Sequence, residues 1–469
     1  MKSFHLENIK GFKDSGEIEL KPISIVIGQN SSGKSSVLRF PLVLRQSFLD
    51  DSIAPLLFYG KTIDYGNYDD VIYQHDTSQF MSFKIKISKR DIIRQVPIPM
   101  RVFKEFFAEL NELILMVQIS LNSNRFLQVD KFSITDGQTN REIFSMDVTD
   151  EMKTARMHYD GNEFKLNKDS VYFDKFLPDF RVANLNEGKV NDEIFDRFYY
   201  FFISLNRYFN SIANEIFYIG PFRVTPERTY RYKENAVNYV GADGEFAPVI
   251  LAQDSKKDGK LIREVSKYLK EHLGFSLSIE NLLGSDLNTH TDIFRIMIKD
   301  HITNVTNNLI DVGHGLSQLI PIIVQALMDN SNSNNRNRPN KRLYNYGLHI
   351  IEQPELHLHP AAQSALIDLF LLAIKKNKNK HFLIETHSEH MLIRLRRYIV
   401  EGKLNKDDVA LYFTYKDKND NTNKIKKLDI DENGNIPEWP EGFFEEDYQE
   451  TIALRKAIKE KNRKGDILW

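Results

Sequence analysis

Ile25-Val-Ile-Gly28-Gln-Asn30-Ser31-Ser32-Gly33-Lys34-Ser35-Ser36 decides how this chain is read. An apolar run ends at Gly28, and Gly33, Lys34 and Ser35 complete the pattern G-x-x-x-x-G-K-[ST]. The backbone N–H groups of such a loop, here running through Asn30, Ser31, Ser32 and Ser36, wrap the α- and β-phosphates. The following helix presents its positive end to them. Lys34 reaches the β- and γ-phosphates as a point charge, and the Ser35 hydroxyl completes a magnesium shell. The stretch implies a nucleoside triphosphate site built on a strand–loop–helix unit.

Upstream, short apolar bursts at Phe4, Leu6, Ile9, Ile18, Leu20 and Ile23 predict two or three strands with turns at Gly11 and Gly16. Downstream, Val37, Leu38, Leu42 and Leu44 fall at helical spacing, with Pro41 perturbing the early turns. Strand-like runs at Phe80–Ser88, Leu115–Leu121 and Phe126–Thr135 predict an antiparallel lobe after the loop. The Phe- and Tyr-rich residues 171–217 lean helical, and core packing explains their aromatics. Ser331–Asn340 reads as a low-complexity surface loop.

Three further segments carry chemistry. Leu348-His-Ile-Ile-Glu352-Gln353-Pro-Glu355 delivers a carboxylate at the end of an apolar strand, where ligands bind in open α/β sheets. Glu352 is thereby placed to orient magnesium. Phe382-Leu-Ile-Glu385-Thr-His387 puts a histidine just beyond another strand, within reach of a γ-phosphate. Gly313-His-Gly315-Leu-Ser317-Gln318 starts an apolar helix, its glycines allowing close backbone approach and Ser317 serving as the expected cap.

The chain has 469 residues, enough for two or three folding units. It has no cysteine, which excludes disulfides and thiolate metal sites and fits a cytoplasmic setting. No apolar run approaches the ~20 residues of a membrane span, and the N-terminus lacks a signal-peptide core. Lys plus Arg number 63 against 65 Asp plus Glu, a balance that argues against a wholly basic nucleic-acid binder.

In this order, the four segments resemble the ABC-type ATPases of the RecF, SMC and OLD lineage. Phe4-His-Leu-Glu-Asn8-Ile-Lys10-Gly-Phe12 is similar to that lineage's opening strand. Gly28–Ser35 then corresponds to Walker A, Leu348–Glu352 to Walker B, Gly313–Gln318 to the signature loop and His387 to the switch histidine. Glu352–Pro360, Glu385–His390, Tyr218–Arg223, Gly241–Glu245 and Asn435–Phe444 resemble the stand-alone bacterial ATPases of this group, many of which sit in phage-defence loci. The resemblance implies an α/β fold: a P-loop nucleotide-binding domain with an antiparallel β lobe, a helical insertion and a small C-terminal module. The expected divisions are residues 1–160, 161–215, 216–400 and 401–469. The four histidines His357, His359, His387 and His390 belong to the family pattern and need no metal.

The resemblance also implies ATP and Mg²⁺ as cofactors, with Ser35 and Glu352 as metal ligands. ATP would be sandwiched in a self-associated dimer, with Gly315 and Ser317 acting in trans and larger assemblies open. Where relatives have Asp-Glu at the end of Walker B, this chain has Glu352-Gln353. Gln353 is neutral, so hydrolysis is expected to be slow, with Gln353 or Glu355 orienting the water. The expected role is a conformational switch controlling a separate effector, a nuclease or toxin, in anti-phage defence. The alternatives are a RecF/SMC-like repair ATPase clamping DNA and an ATP-binding scaffold with little hydrolysis. Lys375, Lys376, Lys378 and Lys380, then Arg394, Arg396 and Arg397, and finally Lys456, Lys459, Lys461, Arg463 and Lys464 leave a DNA partner open, and no membrane partner is expected.

Overall fold

The computed structural model describes residues 1–93, 110–149, 154–159, 161–167, 172–179, 192–232, 237–283, 290–328, 347–418 and 420–440. Its strands are β1 (Ser3–Ile9), β2 (Phe12–Glu19), β3 (Ile23–Gly28), β4 (Met81–Ser88), β5 (Glu112–Leu121), β6 (Leu127–Asp136) and β7 (Glu142–Thr149). Next come β8 (Thr154–Tyr159), β9 (Asn162–Asn167), β10 (Tyr172–Asp174), β11 (Leu177–Asp179), β12 (Ile216–Ile219), β13 (Tyr230–Arg231) and β14 (Phe275–Leu283). The last are β15 (His290–Asp300), β16 (Thr306–Asn308), β17 (Gly347–Glu352), β18 (Lys380–Glu385), β19 (Val409–Lys416) and β20 (Asn423–Leu428). The longer helices are α1 (Lys34–Leu49), α2 (Asp192–Asn214), α3 (Ala247–Ser255), α4 (Lys260–Leu273), α5 (His314–Leu327), α6 (Pro360–Lys376) and α7 (Glu389–Val400).

A six-stranded sheet in the order β12-β17-β18-β3-β19-β20 carries the site. Its first five strands are parallel, and β20 closes the edge antiparallel to β19. All six residues of β3 and of β17 are buried, which is why both read as continuous apolar runs. Side chains alternate across the sheet: Val26, Leu348, Ile350 and Leu383 join one core, while Ile25, Ile27, Ile351 and Ile384 join the other. The first core is shared with α1, α2 and an eight-stranded antiparallel sheet, β2-β1-β4-β5-β6-β7-β8-β9. The second lies under α3 to α7. The fold is mixed α/β with an antiparallel β lobe, as expected.

The aromatic run on α2 packs inward. Phe202 meets Phe144 at 5.4 Å between centroids, and Phe209 stacks on Phe48 at 5.2 Å.

One sequence expectation needs correction. Gly16 is no turn: it lies inside β2 with φ +66°, beside a register shift in the β1–β2 pairing. The division at 160 falls in the β8–β9 hairpin, and the helix expected from 161 is preceded by β9 and the β10–β11 hairpin. The division at 400 separates β19 from β3, although the two are neighbours in the central sheet. Ser331–Asn340 and residues 441–469 lie outside the described residues.

Candidate functional site

Parallel register lines up the C-terminal ends of three strands. Glu352 of β17 stands opposite Glu385 of β18, and Glu385 opposite Val26 of β3, two residues before Gly28. The phosphate loop leaves β3 there and enters α1 through Gly33, whose φ of +90° suits a residue without a side chain. Gly28 is seated on β19: a Cβ there would collide with the Thr414 carbonyl, and Gln29 N–H donates to that carbonyl at 3.2 Å. The Ser32 hydroxyl is buried against Gln29 O at 2.7 Å and Thr414 Oγ1 at 2.6 Å. Ser32 therefore fixes the loop by its side chain, leaving backbone groups to face a ligand.

The loop borders an open cleft of about 750 Å³. Asn30, Ser31, Gly33, Lys34, Ser35 and Ser36 line it on one side, with Gln353, Glu385 and His387 on another. Lys34 is buried and donates to the carbonyls of Gly28 at 3.2 Å and Gln29 at 2.7 Å. Burial lowers its pKa, opposed by the charges of Glu385 and Glu355. Burial, reinforced by Lys34, also lowers the pKa of His387, which favours a neutral imidazole.

Gln353 is held in the cleft by its backbone. Its φ is +44°, a strained value for a residue with a side chain. The strain is locked by Gln353 N–H donating to Glu385 O at 2.8 Å, and by Arg223 Nη2 donating to the carbonyls of Glu352 at 3.0 Å and Gln353 at 3.2 Å. Arg223 is 7% exposed, and burial lowers its pKa to about 10.

Two expected site carboxylates do not line the cleft. Glu352 is not among the cleft-lining residues. Its two oxygens accept from Arg39 Nε at 2.5 Å and Nη2 at 2.6 Å, and Tyr218 OH donates to Oε1 at 3.0 Å. Glu355 also lies outside the lining; it is buried, and its Oε1 accepts the backbone N–H of His387 at 2.6 Å. That contact ties Glu355 to the His387 loop, and its charge acts on Lys34.

Gly313, Gly315, Ser317 and Gln318 do not line this cleft either. Gly313 precedes α5 as its N-cap, so Ser317 lies within the helix and is not the expected cap. Its hydroxyl instead donates to His314 O at 2.8 Å. Gly315 allows close approach: a Cβ there would sit 2.6 Å from the His357 carbonyl. Gln318 Nε2 donates to Arg223 O at 3.4 Å, linking α5 to the residue that holds Gln353.

The cleft also draws on residues not singled out from the sequence. Asp70, Tyr73, Gln74, His75, Lys416, Asn421 and Asn423 line it, beside Lys10 of the opening-strand segment. Gln74 and His75 have φ values of +55° and +58°, a strained pair beside the loop. The signal for Glu385 was present, since it ends an apolar strand as Glu352 does. Arg223 lay in the Tyr218–Arg223 segment of the resemblance without a role assigned to it, while Arg39 and the β19–β20 residues gave no signal, because their places come from distant pairing.

Residues 250–392 match the AAA ATPase domain. The chain thus carries the domain of an ATP-hydrolysing enzyme. The matched segment holds Gly313–Gln318, Glu352, Gln353 and His387, and the fold brings Gln353 and His387 to the loop at Lys34. Residues 404–454 match a family described as "Protein of unknown function (DUF3696)". A comparison with curated proteins finds no match. Among solved structures, the Smc head domain of Pyrococcus furiosus, bound to the C-terminal domain of ScpA, is 10% identical with a TM-score of 0.40. It covers 91% of this chain and 96% of that one. The SMC head domain of Thermotoga maritima is 8% identical, with a TM-score of 0.33 and coverages of 92% and 99%. The Smc head domain of Pyrococcus yayanosii gives 10%, 0.36, 91% and 96%.

The donors present fit a nucleotide-borne Mg²⁺, which needs one or two protein oxygens besides phosphates and waters. The Ser35 hydroxyl and a strand-end carboxylate are hard donors of that kind. Among the described residues, no group of three or more His, Cys, Asp or Glu is arranged to hold a metal. No described helix is long and apolar enough to cross a membrane.

Proposed function

We propose that the chain binds ATP with Mg²⁺ in the cleft at Lys34 and hydrolyses it slowly, as a conformational switch governing a separate effector. The observation that carries this is the convergence of Lys34, Ser35, Gln353 and His387 on one cleft. Backbone N–H groups of the loop would cradle the phosphates, Lys34 would exchange its two carbonyl partners for phosphate oxygens, and neutral His387 would hydrogen-bond the γ-phosphate. Bound Mg²⁺ would neutralise phosphate charge. Gln353 can orient water but cannot take its proton, which supports slow turnover.

The α5 N-terminus would complete the site on a second copy, with Gly313, Gly315, Ser317 and Gln318 acting in trans and ATP stabilising the pair. Partner control in anti-phage defence is supported by the resemblance of the motifs to stand-alone ATPases of defence loci. The effector would be a nuclease or toxin encoded separately. A DNA-clamping reading is not favoured by the basic groups near α7. Arg394 pairs with Asp368 at 2.6 Å, Arg397 with Glu401 at 3.2 Å and Lys376 with Glu264 at 2.5 Å.

Lys34→Ala tests both levels. Calorimetric titration should show loss of most Mg-ATP binding, and wild-type affinity in the variant would remove the ATP site. Tagged wild-type and variant proteins should then be recovered from native cells with and without infection. A toxin-like partner remodelled on infection only with the wild type is expected. Recovery of DNA and repair proteins alone would reject effector control.

A further inference from the structure

We propose that Glu385, not Glu352, is the carboxylate that meets the nucleotide's magnesium, together with the Ser35 hydroxyl. The assignment rests on the ATP reading above. The topology offers both carboxylates, since they end neighbouring parallel strands in direct register. The surroundings of the two then separate them.

Glu352 is saturated. Both its oxygens are engaged by the Arg39 fork and one also by Tyr218, and its side chain is 3% exposed. A bidentate guanidinium–carboxylate pair is among the stronger charge-assisted arrangements, and freeing Glu352 for a cation would leave Arg39 without its partner.

Among the described residues, Glu385 makes no such pair, and it lines the cleft. Its Oε2 accepts from Ser35 Oγ at 2.8 Å, and both residues line the cleft with Lys34. A phosphate-loop serine and a carboxylate already touching each other form a two-oxygen seat at the strand end. Glu385 is only 4% exposed, and a bound cation would compensate its buried carboxylate charge. The neutral Gln353 and a carboxylate displaced to the next strand thus belong to one arrangement. Glu385 supplies the charge that orients the metal, and Gln353 supplies a neutral amide beside the water.

The test uses Mn²⁺ as a paramagnetic probe, with the full-length protein and a non-hydrolysable ATP analogue. Wild type, Glu385→Gln and Glu352→Gln are compared for Mn²⁺ affinity by electron paramagnetic resonance. Nucleotide affinity in EDTA reports whether each protein retains its site. Glu385→Gln should weaken Mn²⁺ at least about tenfold while keeping metal-free nucleotide binding. Glu352→Gln should leave Mn²⁺ affinity unchanged. Glu385→Asp, which keeps the charge on a shorter stem, should fall between wild type and Glu385→Gln and serves if the amide variant misfolds. Wild-type Mn²⁺ affinity in Glu385→Gln, or an equal loss in Glu352→Gln, would overturn the assignment. A wild-type protein that binds no nucleotide even in EDTA would instead bring down the ATP reading, and this assignment with it.

Discussion

His349 sits where a core would ordinarily place a hydrophobe. It is 1% exposed in β17, stacked between Phe217 and Phe382 at 5.1 Å from each, and neither ring nitrogen has a hydrogen-bond partner. Burial, reinforced by Lys380 and His381, holds its pKa well below the ordinary 6.5. The folded protein therefore keeps the ring neutral where the unfolded chain would take up a proton. Stability falls as pH drops below about 6.5, by up to ~1.4 kcal/mol per pH unit from this group. Replacing the ring by leucine removes the unsatisfied nitrogens and the proton linkage together. His349→Leu should be more stable by about 1–2 kcal/mol at neutral pH. Urea unfolding should find a larger advantage at about pH 5.5 than at about pH 7.5; an advantage that shrinks on acidification would contradict the linkage. The same scale marks the limit of sequence reading. Lys34, Ser35, Gln353 and His387 were legible because each follows an apolar strand within a recognisable spacing. Which of Glu352 and Glu385 enters the cleft was not, since Arg39 and Tyr218 decide it from distant parts of the chain.

Helix α1 does more than follow the phosphate loop. It runs through Pro41, whose missing N–H leaves the helix intact in a buried setting, and it carries Arg39 to the end of β17. The Arg39–Glu352 pair ties the element that begins at Lys34 to the strand that ends at Gln353. Arg39→Met would leave the Glu352 carboxylate buried with Tyr218 as its remaining partner. The expected loss is about 3 kcal/mol, near the lower end for breaking a buried pair because the Arg39 side chain is 31% exposed. Adding Glu352→Gln should recover much of it by removing the stranded charge. Chemical denaturation of both variants checks this, and a double variant no more stable than Arg39→Met would show that the pair's charge is not the cause. Elements were read well where periodicity was strong, as in β3, α1 and β4 to β6. The β19–β20 hairpin was set apart as a terminal module because its polar residues at Lys416–Lys427 hid its place. Only pairing with β3 puts Thr414 under Gly28 and Asn423 into the cleft lining.

At the scale of the whole molecule, the central sheet divides two cores and presents one ligand edge, yet the glycine-rich start of α5 stays outside the cleft that its companions line. A helix N-terminus with an exposed His314 next to Gly313 is suited to anionic ligand, and the sandwich proposed above would bring a neighbour's γ-phosphate to it. The assembly can be tested without disturbing the buried Ser317. His314→Glu places a carboxylate in the first turn of α5, where the helix dipole tolerates it and folding should be unaffected. The same charge would repel a phosphate arriving from a partner. Binding of ATP to the cleft at Lys34 should persist in this variant, because that cleft contains none of the α5 residues. ATP-dependent self-association should weaken sharply. Light scattering with and without Mg-ATP, alongside calorimetric titration, separates these effects. A monomer in both states for the wild type, or an unchanged ATP-induced mass in His314→Glu, would remove the sandwich. Loss of ATP binding by the monomeric variant would instead place α5 against the nucleotide of its own chain.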